Sequence, residues 1–515
     1  MLGWALTKPA SMTGEPSPMA PQAAPTTFLW HDYETFGADP RRDRPSQFAA
    51  IRTDADFNEI GEPVEWFCKP ADDYLPHPQA CLITGITPQQ ARRRGMPEAE
   101  FAGRIQALMS EPGTCVVGYN SLRFDDEVSR HLFYRNLLDP YSREWQNGNS
   151  RWDLIDVVRA FHALRPAGIE WPQREDGAPS FKLEHLTAAN GISHEGAHDA
   201  VADVRATITL ARLLKASNPR LFDYLLALRG KRDVARLLDV PGRKPVVHIS
   251  RRYPASRGCA ALVVPLAEHP TNPNGVIVYD LSVAPAALFD LSPEQIRQRV
   301  FVSNDELAEG AERIPLKVIH INKCPVLFPS SALKDVEGPQ AGEYGEIVAR
   351  LGLDLTACRE HWKQLAKHPE VAARVAEVFA EPPPDGPGDP DLMLYSGGFF
   401  SPADRKQMQR VRESDPWDLV GARFAFQDPR LEEMLFRYRA RSFPDTLEGE
   451  ELAQWEAYRW ARMNDSAVAG LTLKGFAREI ERLNQVALSD RDRQILEELV
   501  MHVEAIMPAQ AFDAD

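Results

Sequence analysis

The sequence predicts an α/β domain, then a β-rich domain, then an α-helical one, on three observations. Strand-like and helix-like segments alternate from Phe28 to about Ser217. Short β-like runs separated by turn residues follow, and beyond a Pro- and Gly-rich stretch the chain carries apolar residues at helical spacing to its C-terminus.

Residues 1–27 are rich in Pro, Ala, Ser and Thr without a hydrophobic period, which predicts a disordered extension. In the α/β domain, residues 28–217, FLW (28–30), QFAAIRT (47–53), VEWFC (64–68) and TCVVGY (114–119) are the expected strands. Helical periods run from Thr87 to Arg94, Ala99 to Met109, Asp126 to Asn136, Asp153 to Leu164 and Ala200 to Ala216. Asn218 and Pro219 interrupt the last of these, and PVVHIS, ALVVPLA, GVIVYDL and PLKVIHI predict the strands of a second domain, 218–381. The stretch EPPPDGPGDPD can continue neither helix nor sheet, so 382–391 is expected to be a linker to a helical domain at 392–515. There LEEMLFRYRARSF and REIERLNQVAL carry the amphipathic period.

At 515 residues, with 43% hydrophobic and 26% charged content, the chain is long enough for about two to four domains with their own cores. No apolar run approaches the length of a membrane span and no signal peptide opens the chain, so no membrane association and a cytoplasmic location are expected. The six cysteines form no CxxC pair, which argues against a zinc site or a disulfide framework. A net charge of −15 is the wrong sign for phosphate binding, but charge is local: Arg220 to Arg252 holds nine Lys or Arg against three Asp. That cluster is either a phosphate contact or a solvated helix face.

Three short motifs carry chemistry. Asp32 and Glu34 follow the strand at 28–30; residues two apart face one side, so both carboxylates can converge on one or two hard cations. In GYNSLRFDDEV a strand leaves through a turn into a helix, and Asp125 or Asp126 is either a site carboxylate or a helix cap. In AHDAVADV, Asp199 is a plausible N-cap, leaving His198 in the loop and Asp203 one turn into the helix. Each motif alone recurs by chance in a chain with 74 acidic residues; their order within one α/β domain is what discriminates.

In that order they resemble the DEDDh exonucleases, which have a ribonuclease H-like fold with a mixed sheet. HDYETFGADPRRDRPSQFAAIRTD, KPADDYLP, LITGITPQQA, GYNSLRFDDEV, NSRWDLIDVVRA, PSFKLEHLTAANGI and AHDAVADV, with HINKCPV and YSGGFFSPADR further on, are similar to the bacterial exonuclease I family, from about Phe28 almost to the end. The resemblance implies an SH3-like second domain and removal of nucleotides from the 3′ end of single-stranded DNA, in repair or recombination. It implies that Asp32, Glu34, Asp125 and Asp203 bind two Mg²⁺ ions, with Mn²⁺ able to substitute, and that His198 is the general base. A monomer is expected, and the acidic C-terminal tail of single-stranded DNA-binding protein is an expected partner.

For the strand itself, cations and aromatic faces concentrate between Arg130 and Lys182. Arg130, Tyr141, Trp145, Arg159, Arg165, Phe181 and Lys182 are candidate contacts, each with packing or a solvated charge as the alternative. Glu34, Thr35 and Phe36 are placed to touch the terminal nucleotide, with a core position as the equal alternative for Phe36, and Asn274 and Lys317, with Lys323, are candidates in the second domain. Rival readings are an exoribonuclease with the same metal site, a non-catalytic single-strand-binding scaffold, and a polymerase proofreading subunit.

Overall fold

The structure, a computed structural model, describes residues 25–193, 199–335, 341–380, 388–486 and 488–508. His198, nearly all of the N-terminal stretch 1–27 and most of the Pro- and Gly-rich stretch lie outside them.

The first sheet contains β1 (Thr27–Thr35), β2 (Pro45–Thr53), β3 (Val64–Phe67), β4 (Thr114–Gly118) and β5 (Ser150–Asp153), ordered β3-β2-β1-β4-β5. β2 runs antiparallel to β1 and β3, whereas β4 is parallel to β1 and to β5. This is the mixed sheet that the resemblance implies. Side chains alternate along β1. Phe28 and Trp30 join the core with the helices Leu154–Leu164 and Ala200–Ser217, while Leu29 and Tyr33 pack on the other face with Glu98–Met109 and Asp125–Arg135.

Two local expectations change. β1 runs five residues past Trp30, so Asp32 and Glu34 lie on the strand rather than after it. β5 was not expected, since SRWD is mostly polar and carries no apolar run, and Asp153 caps the following helix instead of starting it. Pro219 sits at the first position of a new helix, Pro219–Ala227, capped by the Asn218 side chain. This helix straddles the boundary drawn at 217: Phe222 packs edge-on against Phe57 and Trp152 of the first domain, while Tyr224 stacks on Phe328 of the second.

The second sheet is antiparallel throughout: β6 (Val246–Ile249), β7 (Ala260–Glu268), β8 (Gly275–Asp280), β9 (Leu316–His320) and β10 (Val326–Pro329), in the order β10-β6-β7-β8-β9. β10, preceded by Pro325 and ending in Pro329, went unpredicted; an edge strand tolerates proline where a central one does not. The C-terminal part is helical, with Pro402–Glu413, Arg430–Ser442, Gly449–Asn464, Leu473–Asn484 and Asp490–Ala505 as its longest elements. The end of the expected linker is anchored to it, since Asp389 and Asp391 pair with Arg437 at 2.7 and 3.0 Å.

The helical part packs on the first domain through an apolar cluster and an ion network. Phe36, Phe67, Tyr74, Leu75 and Cys81 meet Met463, Phe476, Leu483, Ile495 and Leu499. Beside them the buried Asp73 lies 2.9 Å from Arg441, 3.7 Å from Arg44 and 3.8 Å from Arg462. The six cysteines are free thiols, and no helix among the described residues is long and apolar enough to cross a membrane.

Candidate active site

Asp32 and Glu34 lie on the β1 face that begins with Phe28 and Trp30, beyond the point where the core ends. The helix Ala200–Ser217 covers that face, and Asp199 caps it by accepting from the Val201 and Ala202 amides at 3.0 and 3.1 Å. Its first turn thereby carries Asp203 to the carboxylates of β1. One oxygen each from Asp32, Glu34 and Asp203 fall within 4.8 Å of one another.

Asp125 arrives from the neighbouring strand. β4 pairs with β1 only as far as Trp30↔Val117 and ends at Gly118, where a Cβ would lie 2.6 Å from Ser121 Cβ and 3.1 Å from the His31 carbonyl oxygen. Asn120 turns the chain in the left-handed region, at φ 63°. Beyond the end of β4 the amide of Tyr33 donates to Asp125 Oδ1 at 3.1 Å, so the carboxylate takes the place of a strand partner. Asp126 turns the other way: its oxygens accept from Arg143 at 2.6 Å and Arg151 at 2.9 Å. Of the two adjacent acids, Asp125 is therefore the one aimed at β1.

Asp153 was missed in the sequence as anything but a helix start. It sits opposite Gly118 in the β4–β5 register and accepts from three backbone amides, Asn120 at 2.8 Å, Leu122 at 3.1 Å and Ile155 at 3.0 Å. One carboxylate thus fixes both the turn that delivers Asp125 and the start of the next helix. Its only sequence signal is its place in NSRWDLIDVVRA.

Electrostatics mark the cluster. Burial, then the charges of Asp125, Glu34 and Asp203, hold the Asp32 carboxyl well above its usual range. Burial and the neighbouring Asp203, Asp125 and Asp199 push Glu34 up to about 8, and burial is the main cause of a similar rise at Asp125. Asp126 behaves oppositely: although burial opposes ionisation, Arg143 and Arg151 hold it below the usual range. A set of oxygen ligands that repel one another fits a hard divalent cation, which would relieve the repulsion.

The expected strand contacts divide. Trp145 is 66% exposed, and Lys182 is exposed beside Glu184 at 3.5 Å. Lys317 is half-buried, its Nζ 4.7 Å over the Tyr253 ring. Asn274 holds the turn into β8: its amide donates to Asn272 and its carbonyl accepts from Ile321. Thr35 is buried, its hydroxyl donating to the Gly37 carbonyl at 2.6 Å. The rest are engaged inside the protein. Phe36 is 1% exposed in the core shared with the C-terminal helices. Arg130 is buried, with two bonds to Glu144 at 2.8 and 2.9 Å and one to Glu127 at 2.7 Å. Arg159 is held by Asp156 at 2.5 Å beneath Phe181, itself buried, and Arg165 donates to the Leu164 carbonyl at 2.6 Å. Tyr141 packs against Phe399 and under Arg130. Arg130 and Arg159 are paired with Glu127, Glu144 and Asp156, and Arg165 is turned onto a backbone carbonyl, so Arg130 to Lys182 is not an open cationic groove. The Arg220 to Arg252 cluster also divides: Arg229 is buried against Ser150, Arg243 caps the carbonyls of Leu365 and Pro369, and Arg251 and Arg252 are exposed.

Comparison with known proteins agrees with this geometry. Residues 29–211 match the family model described as Exonuclease, 229–381 the Exonuclease I SH3-like domain, and 388–506 the Exonuclease I C-terminal domain. The chain is 48% identical over 484 residues to Exodeoxyribonuclease I of Escherichia coli (strain K12), covering 94% of this chain and 98% of that one. A moderately thermophilic Exonuclease I from Methylocaldum szegediense superposes with a TM-score of 0.88 at 51% identity, over 93% of this chain and 99% of the other. The zinc-bound form of the E. coli enzyme in complex with single-stranded DNA superposes with a TM-score of 0.86 at 48% identity, over 93% and 99%.

Proposed function

The chain belongs to the exonuclease I family, and on that premise we propose how its residues divide the family's work. It is an exodeoxyribonuclease that shortens single-stranded DNA from the 3′ end and depends on a divalent metal. The observation that carries the catalytic assignment is the meeting of Asp32, Glu34 and Asp203 within 4.8 Å. A single-strand-binding scaffold has no use for acid gathered where phosphates must lie, and a single-domain proofreading subunit would lack the second and third domains. The DNA-bound relative favours DNA over RNA as substrate.

Asp32, Glu34 and Asp203 hold the cation, with Asp125 completing a set that serves two Mg²⁺ ions or, in their place, Mn²⁺. When bound, the metal supplies Lewis acidity to the attacking water and the scissile phosphate and neutralises charge on the departing 3′-oxygen. His198, one residue before the Asp199 cap, takes the water's proton, for which an imidazole is suited near neutral pH while the carboxylates serve as ligands. Tyr33 and Asp153 keep Asp125 in place through the backbone bonds described above. Glu34 and Thr35 border the terminal nucleotide, and Trp145, Lys182, Asn274 and Lys317 line the way to it. Enclosure of the strand by the three domains gives processivity and excludes duplex. The enzyme acts as a cytoplasmic monomer in repair or recombination, and basic residues of the outer domains receive the acidic tail of single-stranded DNA-binding protein.

The division of roles is tested by calorimetric Mg²⁺ titration beside turnover. Asp203→Ala is expected to lose both metal binding and activity, and His198→Ala to bind Mg²⁺ as before while cleaving about 10²- to 10⁴-fold more slowly. Equal loss of metal in the two variants contradicts the assignment.

A further inference from the structure

The turn that delivers Asp125 also carries a cation that is only loosely paired. Arg123 ends the Ser121–Arg123 turn, two residues before Asp125. Its Nη1 is buried and without a hydrogen-bond acceptor, and its Nη2 stands 3.9 Å from Asp156, a carboxylate already taken by Arg159 at 2.5 Å. Across the seam between the first two domains, Lys317 on β9 leans over Tyr253, its Nζ 3.5 Å from His248 Nδ1. No carboxylate among the described residues lies within ion-pair distance of that amine. Burial first, then the charges of Arg123 and Arg252 against the partial relief of Asp156, push it down to about 7.

Arg123, Arg159 and Lys317 therefore draw chiefly on one carboxylate, Asp156, with Asp153 adding to it at Arg123, while Arg251 and Arg252 add further positive charge. A folded chain gains nothing by gathering like charges and burying an unpaired guanidinium nitrogen; an anion entering the seam relieves both costs. The two sides of the seam come from different domains, so the anion would be gripped from both, and the turn bearing one grip is the turn that positions Asp125.

We propose that Arg123, with Lys317 and Arg252 opposite it, clamps one phosphodiester of the single strand and so sets which bond of that strand reaches the metal-binding carboxylates. The inference rests on the exonuclease reading and adds to it a residue that fixes the strand's register. An arginine suits this position because its planar fork grips two phosphate oxygens at once.

The test is equilibrium binding of fluorescent oligodeoxynucleotides in EDTA, where no cleavage occurs, using strands in which one phosphate at a time is a neutral methylphosphonate. The wild-type protein is expected to lose about tenfold in affinity at one linkage. Arg123→Gln should bind about tenfold more weakly overall, be indifferent to that linkage, and show a slope of log K against log salt shallower by roughly 0.7. Its melting temperature should equal or exceed that of the wild type, because a loosely paired cation with a buried, unbonded nitrogen has been removed. A variant that keeps the wild-type sensitivity at every linkage overturns the clamp, as does weaker binding with a lowered melting temperature, which makes Arg123 a support of the fold. A wild-type protein that fails to bind any strand overturns the exonuclease reading itself, so the two failures are distinguishable.

Discussion

Carboxylates gathered as closely as Asp32, Glu34 and Asp203 repel one another until protons or a cation intervene, and this makes the metal-free protein sensitive to pH. The Glu34 carboxyl is raised from 4.5 to about 8, chiefly by burial, so the folded state holds a proton that the unfolded chain has released. Stability from this group is full below pH 4.5 and is lost as pH rises towards 8. In EDTA, therefore, Glu34→Gln should be more stable than the wild type, by a margin that grows across that window, and Mg²⁺ should stabilise the wild type most at its upper end. Melting temperatures against pH, with and without Mg²⁺, check this; a margin that shrinks as pH rises contradicts it. At this scale the sequence was partly legible. Asp32 and Glu34 are readable because a strand's period of two puts both on one side. The choice between Asp125 and Asp126 is not, since it depends on Arg143 and Arg151 being folded against Asp126. Nor does the spacing of Arg130, Glu127 and Glu144 disclose that the arginine is consumed internally.

At the scale of elements, the site depends on how β1 and β4 end and how β5 holds the turn between them. Asp153 accepts three amides there, so Asp153→Ala leaves three donors unsatisfied and removes a helix cap. The expected cost is roughly 1–3 kcal/mol. Because the freed turn carries Asp125, Mg²⁺ affinity should fall along with stability, and urea unfolding in EDTA with a Mg²⁺ titration of the folded variant measures the two separately. A loss of stability with Mg²⁺ affinity intact limits Asp153 to the helix it caps. The longer elements were legible because their periods repeat several times over. β5 and β10 were not, because SRWD is mostly polar and VLFP ends in a proline, and both are made strands by the neighbours that pair with them.

At the scale of the molecule, the helical part is fastened to the first domain by ionic contacts as well as by apolar packing. Asp73 is fully buried among Arg441, Arg44 and Arg462, and these arginines hold its carboxyl below the usual range although burial opposes ionisation. Removing one partner of such a network strands the others, at roughly 3–5 kcal/mol. Asp73→Ala is therefore expected to loosen the docking of the helical part. If the three domains enclose the strand, the variant should release it after few cleavages while each cleavage still proceeds, a change visible in the length distribution of products formed in the presence of trap DNA; an unchanged distribution separates processivity from this contact. The order of three domains was legible from composition, but their seams were not, because Asp73, Asp391 and Arg441 are far apart in the chain and meet only when it folds. The account as a whole is tested most directly by digesting 5′-labelled oligonucleotides, single-stranded DNA beside duplex DNA and RNA, with Mg²⁺ or EDTA and with Asp203→Ala as control. It predicts stepwise loss from the 3′ end of single-stranded DNA only, only with metal, and none with the variant. Preferential loss of RNA, cleavage undiminished in EDTA, or an active Asp203→Ala would contradict it.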